Sequence, residues 1–441
     1  MKVTLLTAAV IAFLRASVTT ASAEKIDQHG QLLDIAYVTK HIGTHRGYPT
    51  ESIPNKDHID NDYILEQYQL IKRHGTRYPG DDDIDAMNEL NDSLTGWTNN
   101  YDNQWVRSRT GLLDLHGQME HYTHGERVAA SYPEIVKSAI DFDVSTLTAY
   151  ASWSDRVSQS ASAFLMGAFK GYGQLGKDNT MAIPIFTYPE EEDKMLAFHK
   201  ACKRWKTEID DSDFVDKAVK PLDKLYKQTI ATRLSKDLGL HITATDVENL
   251  MSGCAFDVTM RGTADTFCRL FTKDDLIKLE YYDDLKHWFK LSYGYEELNA
   301  GMACNLGKAI IENIEAAVHG STTGKKFPRL DLKFGHDETL LPLRTFFGLQ
   351  KDDYKLAWNL SQHEIDNRKF KLSKFSFFAN NLAFQVLSSK NKTNTQKYVR
   401  VLDNEKAIIF PGCQHEYCPH DQFLEAVAPM LTCDYDETCA I

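Results

Sequence analysis

The chain has 441 residues, 42% hydrophobic and 25% charged, a balance that supports one large packed core with room for a second domain and excludes a chain disordered throughout. Its formal net charge of -12 excludes a protein that gathers nucleic acid by long-range attraction. Any polyanionic ligand would need a local basic cavity inside an acidic protein.

Residues 1–23 read as a signal peptide, with Lys2 as the basic n-region, Val3 to Leu14 as a short apolar run and Ala21-Ser22-Ala23 as a small-x-small cleavage site. The run is too short to span a bilayer, and Arg15 ends it. Because an oxidising compartment favours disulfides, the eight cysteines are expected to pair. Close spacing points to Cys254 with Cys268, Cys413 with Cys418 and Cys433 with Cys439, leaving Cys202 for Cys304; spacing alone does not fix connectivity. Sequons beginning at Asn91, Asn359 and Asn391 are candidate N-glycan sites.

In chain order, Gln67 to Ile71 predicts a short strand ending at Lys72-Arg73-His74-Gly75. Thr146 to Ala151 is a second β-prone run feeding Ser154-Asp155-Arg156, after which Val157 to Lys170 has helical character. From about Pro189 to Gly320 the pattern is helical: Leu276, Leu279, Tyr282, Leu285 and Phe289 recur at helical spacing, started by a Thr272 cap with Asp275 three residues on. Leu330 to Phe334 leads into Gly335-His336, and Val399 to Leu402 with Ala407 to Phe410 resembles a hairpin. Strands separated by helices predict an α/β fold, a mixed but mostly parallel sheet flanked by helices. On this reading residues 24–185 and 321–441 form the catalytic domain and residues 186–320 an inserted, smaller helical domain. In open sheets ligands bind beyond the carboxyl ends of the strands, where all three Arg/His clusters fall.

The segment Arg73-His74-Gly75-Thr76-Arg77-Tyr78-Pro79 carries the most chemistry. A phosphoryl group in transfer spreads negative charge over three oxygens, so it needs fixed cations and an in-line nucleophile. Two arginines flanking a histidine supply both, since an imidazole nitrogen can attack phosphorus and later leave. Gly75 is expected to let backbone approach the phosphate, and Pro79 to stiffen the loop exit.

These residues resemble the RHGxRxP signature of the histidine acid phosphatases, the second branch of the histidine phosphatase superfamily. Gly335 to Leu343, reading GHDETLLPL, is similar to the second catalytic motif of that family and particularly of its inositol polyphosphate branch. Further likeness runs through Ser252 to Asp257, Phe267 to Thr272 and Leu279 to Lys286, so that it covers the chain from Tyr68 to the last cysteines. The resemblance implies His74 as nucleophile, Arg73, Arg77 and Arg156 as phosphate ligands, and His336 as a second histidine donating to a phosphate oxygen. It implies no metal and no cofactor.

For the proton donor the family offers two patterns, an aspartate directly after the second histidine or, in the inositol polyphosphate branch, a glutamate one residue later. This chain has both, Asp337 and Glu338, and the flanking Thr339 to Leu343 favours Glu338. Lys194 is similar to a stretch of the inositol branch and is a candidate contact for outer phosphates. The implied activity is a secreted acid phosphatase acting on inositol polyphosphates such as phytate. The alternatives are a broad acid phosphomonoesterase and a phospho-ligand-binding protein without turnover. The chain ends Asp436 to Ile441 without a KDEL-like signal, so secretion is expected over residence in the endoplasmic reticulum or lysosome.

Overall fold

The computed structural model describes residues 33–54, 56–94, 105–138, 146–320 and 327–441. The signal peptide expected over residues 1–23 lies outside the described residues. The described strands are β1 (Tyr63–Arg73), β2 (Leu147–Ala151), β3 (Leu330–Gly335), β4 (Asn381–Ser389), β5 (Lys397–Asp403), β6 (Lys406–Ile408) and β7 (Cys418–Pro419). They make one sheet in the order β2-β3-β1-β4-β5-β6, with β7 paired to β5. A mixed sheet flanked by helices is therefore present, but the balance differs from the sequence reading. Only β2–β3 and β1–β3 are parallel. The pairs β1–β4, β4–β5, β5–β6 and β5–β7 are antiparallel. The reason is local: β4, β5 and β6 follow one another through connections too short for a parallel crossover. Strand β4 escaped the sequence reading because Leu382, Ala383, Phe384, Val386 and Leu387 are all buried, and burial on both faces erases the alternation that marks a strand.

Helices cover both faces. On one side, Leu115–Ser131 and Asp155–Ala168 pack with Tyr68, Leu70, Leu332 and Phe334 of the strands. On the other, Cys304–His319 and Asp337–Phe346 share a core with Ile71, Phe384, Val386 and Val401. Between Phe198 and His319 the described elements are all helical, and Trp205, Val219, Tyr281 and Leu285 from that stretch join the second core. The helix Lys273–Leu291 starts at a reciprocal cap between Thr272 and Asp275, as the spacing predicts. Among the described residues no helix is long and apolar enough to cross a membrane.

All eight cysteines are paired. Cys254–Cys268 and Cys413–Cys418 agree with the spacing argument. The other two bonds do not: Cys202 joins Cys439 and Cys304 joins Cys433. The C-terminal segment folds back over the helices, where the Tyr435 hydroxyl donates to the Phe198 carbonyl at 2.9 Å, so the neighbouring Cys433 and Cys439 reach different partners. Of the sequons, Asn359 and Asn391 are exposed, whereas Asn91 is half-buried in the helix Asp81–Ser93.

Candidate active site

The parallel strands β1, β2 and β3 all end at the same edge of the sheet, and each hands the chain to a functional group there. Arg73 is the last residue of β1, and His74 follows it, its amide donating to the Gly335 carbonyl at 3.0 Å. After β2 the chain turns through Ser152 to Ser154, the N-cap of Asp155–Ala168, which puts Arg156 in the first helical turn. After β3 it passes through His336, the N-cap of Asp337–Phe346, with Asp337 and Glu338 in the first turn. Two helix N-termini, each carrying partial positive charge, thus flank His74.

The structure brings Arg73, His74, Arg77, Arg156, His336, Asp337 and Glu338 to the lining of one cavity of about 600 Å³. The His74 and His336 rings lie 5.5 Å apart, near perpendicular. His74 is 3% exposed, and its Nδ1 is 2.9 Å from the Gly75 carbonyl. A carbonyl only accepts, so Nδ1 carries the proton and Nε2 keeps a free lone pair. Burial, then Arg156, Arg73, His336 and Arg77, hold this imidazole well below its usual range, in its neutral form. His336 is lowered to about 3 by burial and then Arg156. Its Nδ1 lies 3.4 Å from Arg156 Nη2 and its Nε2 2.7 Å from Ser152 Oγ. Because a guanidinium only donates, His336 donates from Nε2 to Ser152.

The two carboxyls next to His336 differ. Burial raises Asp337, against the opposing pull of Arg73, whose Nη1 is 3.8 Å from Oδ2, and of His287; the Ser376 hydroxyl donates to Oδ1. Burial also acts to raise Glu338, but His199, His336, its own backbone N–H and Arg73 outweigh it and hold this carboxyl well below the usual carboxylate range. Arg77 is lowered to about 10 by burial and by the neighbouring Arg156 and Arg73. Among the described residues neither Arg77 nor Arg156 has a carboxylate within ion-pairing distance, and the buried Nε atoms of Arg73 and Arg156 have no hydrogen-bond partner.

The loop is held from below by Glu120, which accepts from the Thr76 backbone at 2.8 Å, the Thr76 hydroxyl at 2.9 Å and the Tyr48 backbone at 2.8 Å. Gly75 has a different task from the one its sequence context implies. A Cβ there would lie 2.4 Å from the Gly117 carbonyl oxygen, so the glycine admits the helix Leu115–Ser131 against the loop.

Lys194 is not brought to this cavity. Its amine pairs with Asp436 at the surface, because the folded-back C-terminus reaches it first. The sequence reading missed the cavity wall: Lys286, His287 and Lys290 line it from the helix Lys273–Leu291, with Lys227 beside them. Burial acts to lower His287, but Asp283, Asp337 and a backbone carbonyl push it up to about 9, so it is a cation at neutral pH. The only signal for this wall in the sequence is a pair of lysines four apart, which any solvated helix face can show. His199 was also missed; its ring is 6.3 Å from that of His336. A larger opening of about 730 Å³ lies behind the loop, but Glu51, Glu120 and Glu126 line it and its Arg127 already pairs with Glu405, so it does not suit a polyanion.

A family model for the histidine phosphatase superfamily (branch 2) matches residues 64–404. The chain belongs to that superfamily, and it is a phosphatase, a phosphoric monoester hydrolase. It is 25% identical over 417 residues to multiple inositol polyphosphate phosphatase 1 of Dictyostelium discoideum, covering 81% of this chain and 65% of that one. The protein of that name from Gallus gallus is 25% identical over 397 residues, 85% of this chain and 84% of that one. Acid phosphatase PHO12 of Saccharomyces cerevisiae is 24% identical over 449 residues, 93% of this chain and 87% of that one. In fold, the chain is similar to the phytase from D. castellii, with a TM-score of 0.68 at 18% identity over 96% of this chain and 90% of that one. It is also similar to Bifidobacterium longum multiple inositol polyphosphate phosphatase in complex with inositol hexasulfate, with a TM-score of 0.63 at 14% identity over 86% of this chain and 95% of that one.

Proposed function

We propose that the chain hydrolyses inositol polyphosphates, phytate among them, through a phosphohistidine on His74. The observation that carries this is the convergence of three guanidinium groups and a neutral, buried imidazole on one cavity. In the first step the Nε2 lone pair attacks phosphorus and the ester P–O bond breaks, while a carboxylic acid gives its proton to the leaving alkoxide. In the second, water attacks the phosphohistidine, the carboxylate takes the water proton, and the N–P bond breaks to release inorganic phosphate. Arg73, Arg77 and Arg156 hold the phosphoryl oxygens throughout, and their charge is worth most where water is excluded. His336 turns its Nε2–H from Ser152 to a phosphate oxygen as that oxygen gains charge.

For the donor, the electrostatics favour Asp337 over the Glu338 that Thr339 to Leu343 suggest. A donor must hold its proton before the ester breaks; burial favours the protonated form of Asp337, whereas the His199 and His336 rings, its own backbone N–H and Arg73 favour the ionised form of Glu338. The helical stretch, residues 186–320, we take as the substrate-selecting unit, with Lys286, His287 and Lys290 facing the outer phosphates. Four disulfides and the leader at residues 1–23 support passage through the secretory pathway, with glycans at the exposed Asn359 and Asn391.

The likeness to a yeast acid phosphatase over most of the chain supports a second reading, a broad phosphomonoesterase. Incubation with phytate and with a small aryl phosphate at pH about 4 to 5, with products resolved over time, separates the two. Rapid alkaline quenching during turnover of labelled substrate should trap label on His74. Its absence there would sink the covalent mechanism whichever substrate is preferred.

A further inference from the structure

At the opposite end of the sheet from the catalytic cavity, three side chains from two separate helices meet. Glu315 and His319 are one helical turn apart at the end of Cys304–His319, which puts them on one face. His420 is the first residue of the helix His420–Val427, two residues after Cys418, whose bond to Cys413 anchors that turn. His420 Nε2 contacts Glu315 Oε1, His319 Nε2 is 3.8 Å from Glu315 Oε2, and the two imidazole rings are 5.5 Å apart. One ligand atom from each residue falls within a sphere of mutual distances no greater than 4.8 Å.

We infer that Glu315, His319 and His420 form a binding site for a first-row divalent transition metal, zinc above all, that ties these two helices together. Two imidazole nitrogens and one carboxylate oxygen are the donor set of zinc, copper and nickel sites, whereas calcium and magnesium take oxygen donors. Tetrahedral zinc with bonds of about 2.0 to 2.1 Å needs ligand atoms about 3.4 Å apart. The spread here brackets that value, so rotamer adjustments of the Glu315 and His319 side chains suffice. The imidazoles differ in a way that suits such a site. His420 is nearly buried, with a side-chain exposure of 8%, and is held by its turn, while His319, at 61%, is free to close over the ion and leaves the fourth position to water. A plain hydrogen bond between His420 and Glu315 has no use for His319, and that residue is where the two explanations part.

None of the three residues lines the catalytic cavity, so the ion acts on stability and not on turnover. By linkage it stabilises the folded state by its affinity for the assembled site. The test uses the full mature protein, stripped with chelator and titrated at pH about 7, where free imidazole is mostly neutral. Cobalt(II) serves as the spectroscopic probe and zinc as competitor, in a His74→Ala background that removes the catalytic imidazole as a rival ligand. One equivalent of cobalt should bind with visible absorption and be displaced by zinc. His319→Ala, an exposed change that leaves the His420–Glu315 contact intact, should weaken binding at least about tenfold. Zinc should raise the melting temperature of the parent and not of that variant. Equal uptake by parent and His319→Ala, no uptake by either, or the same zinc-induced melting shift in both would overturn the site, while aryl phosphate hydrolysis by the wild type after chelation reports separately on the catalytic reading.

Discussion

At the floor of the catalytic cavity, Arg77 and Arg156 stand without a carboxylate in ion-pairing range among the described residues, while Arg73 has only Asp337, 3.8 Å away. Along the wall the lysines are matched instead: Lys286 with Glu248 at 2.7 Å, Lys290 with Asp210 at 2.9 Å, and Lys227 with both Asp223 and Glu248. The floor therefore leaves its charge unpaired and tolerates burial and then repulsion from Arg156 and Arg73, which together lower the pKa of Arg77. The wall gives up most of its attraction until a phosphate displaces a carboxylate. Bare guanidinium groups serve a charge that grows during reaction, because preorganised dipoles and cations need no rearrangement at that moment. On the proposed function, neutralised lysines would serve discrimination, because only a ligand with several phosphates gains by opening the pairs.

Breaking the floor should have the largest effect. His74→Ala is expected to lower kcat by about 10⁴-fold or more on phytate and aryl phosphate alike; a purified variant with a tenth of the parental rate would end the comparison. Next come the two carboxyls. Asp337→Asn should cost about 10² to 10³ in kcat on phytate, less on an aryl phosphate whose leaving group needs little protonation, and Glu338→Gln markedly less on both. The pH profile carries the sign. A raised Asp337 keeps its proton above the ordinary carboxyl range, so the alkaline limb of kcat/KM moves up, while the lowered His74 keeps its lone pair to low pH and moves the acid limb down. Asp337→Asn should abolish the alkaline limb; if Glu338→Gln does so instead, the donor assignment reverses. The smallest effect belongs to the wall. Lys286→Met should raise KM for phytate by about three- to tenfold and leave aryl phosphate kinetics unchanged, as expected for a partly screened charge. Equal losses on both substrates would erase the distinction between wall and floor.

Sequence and structure divide along the same line. Arg73 to Arg77 and His336 to Glu338 are contiguous runs at strand ends, so local chemistry and the geometry of an open sheet locate them together. Arg156 is legible for the same reason, as a cation one turn into a helix that follows a strand. Lys286, His287 and Lys290 are not, because only the packing of Lys273–Leu291 over the strand ends turns an ordinary charged helix face toward the cavity. Lys194 misled for the converse reason, since its partner Asp436 is 242 residues away.

By itself the chain of residues determined that His74, His336, Arg73, Arg77 and Arg156 would gather at strand ends of a mixed sheet, since each follows from a short run whose spacing dictates its local conformation. Tertiary structure alone decided which cysteines meet, why Gly75 has no side chain, which cations line the cavity, and how far burial separates two adjacent carboxyls. Those outcomes depend on distances and dielectric between segments far apart in the chain, and no local pattern encodes either.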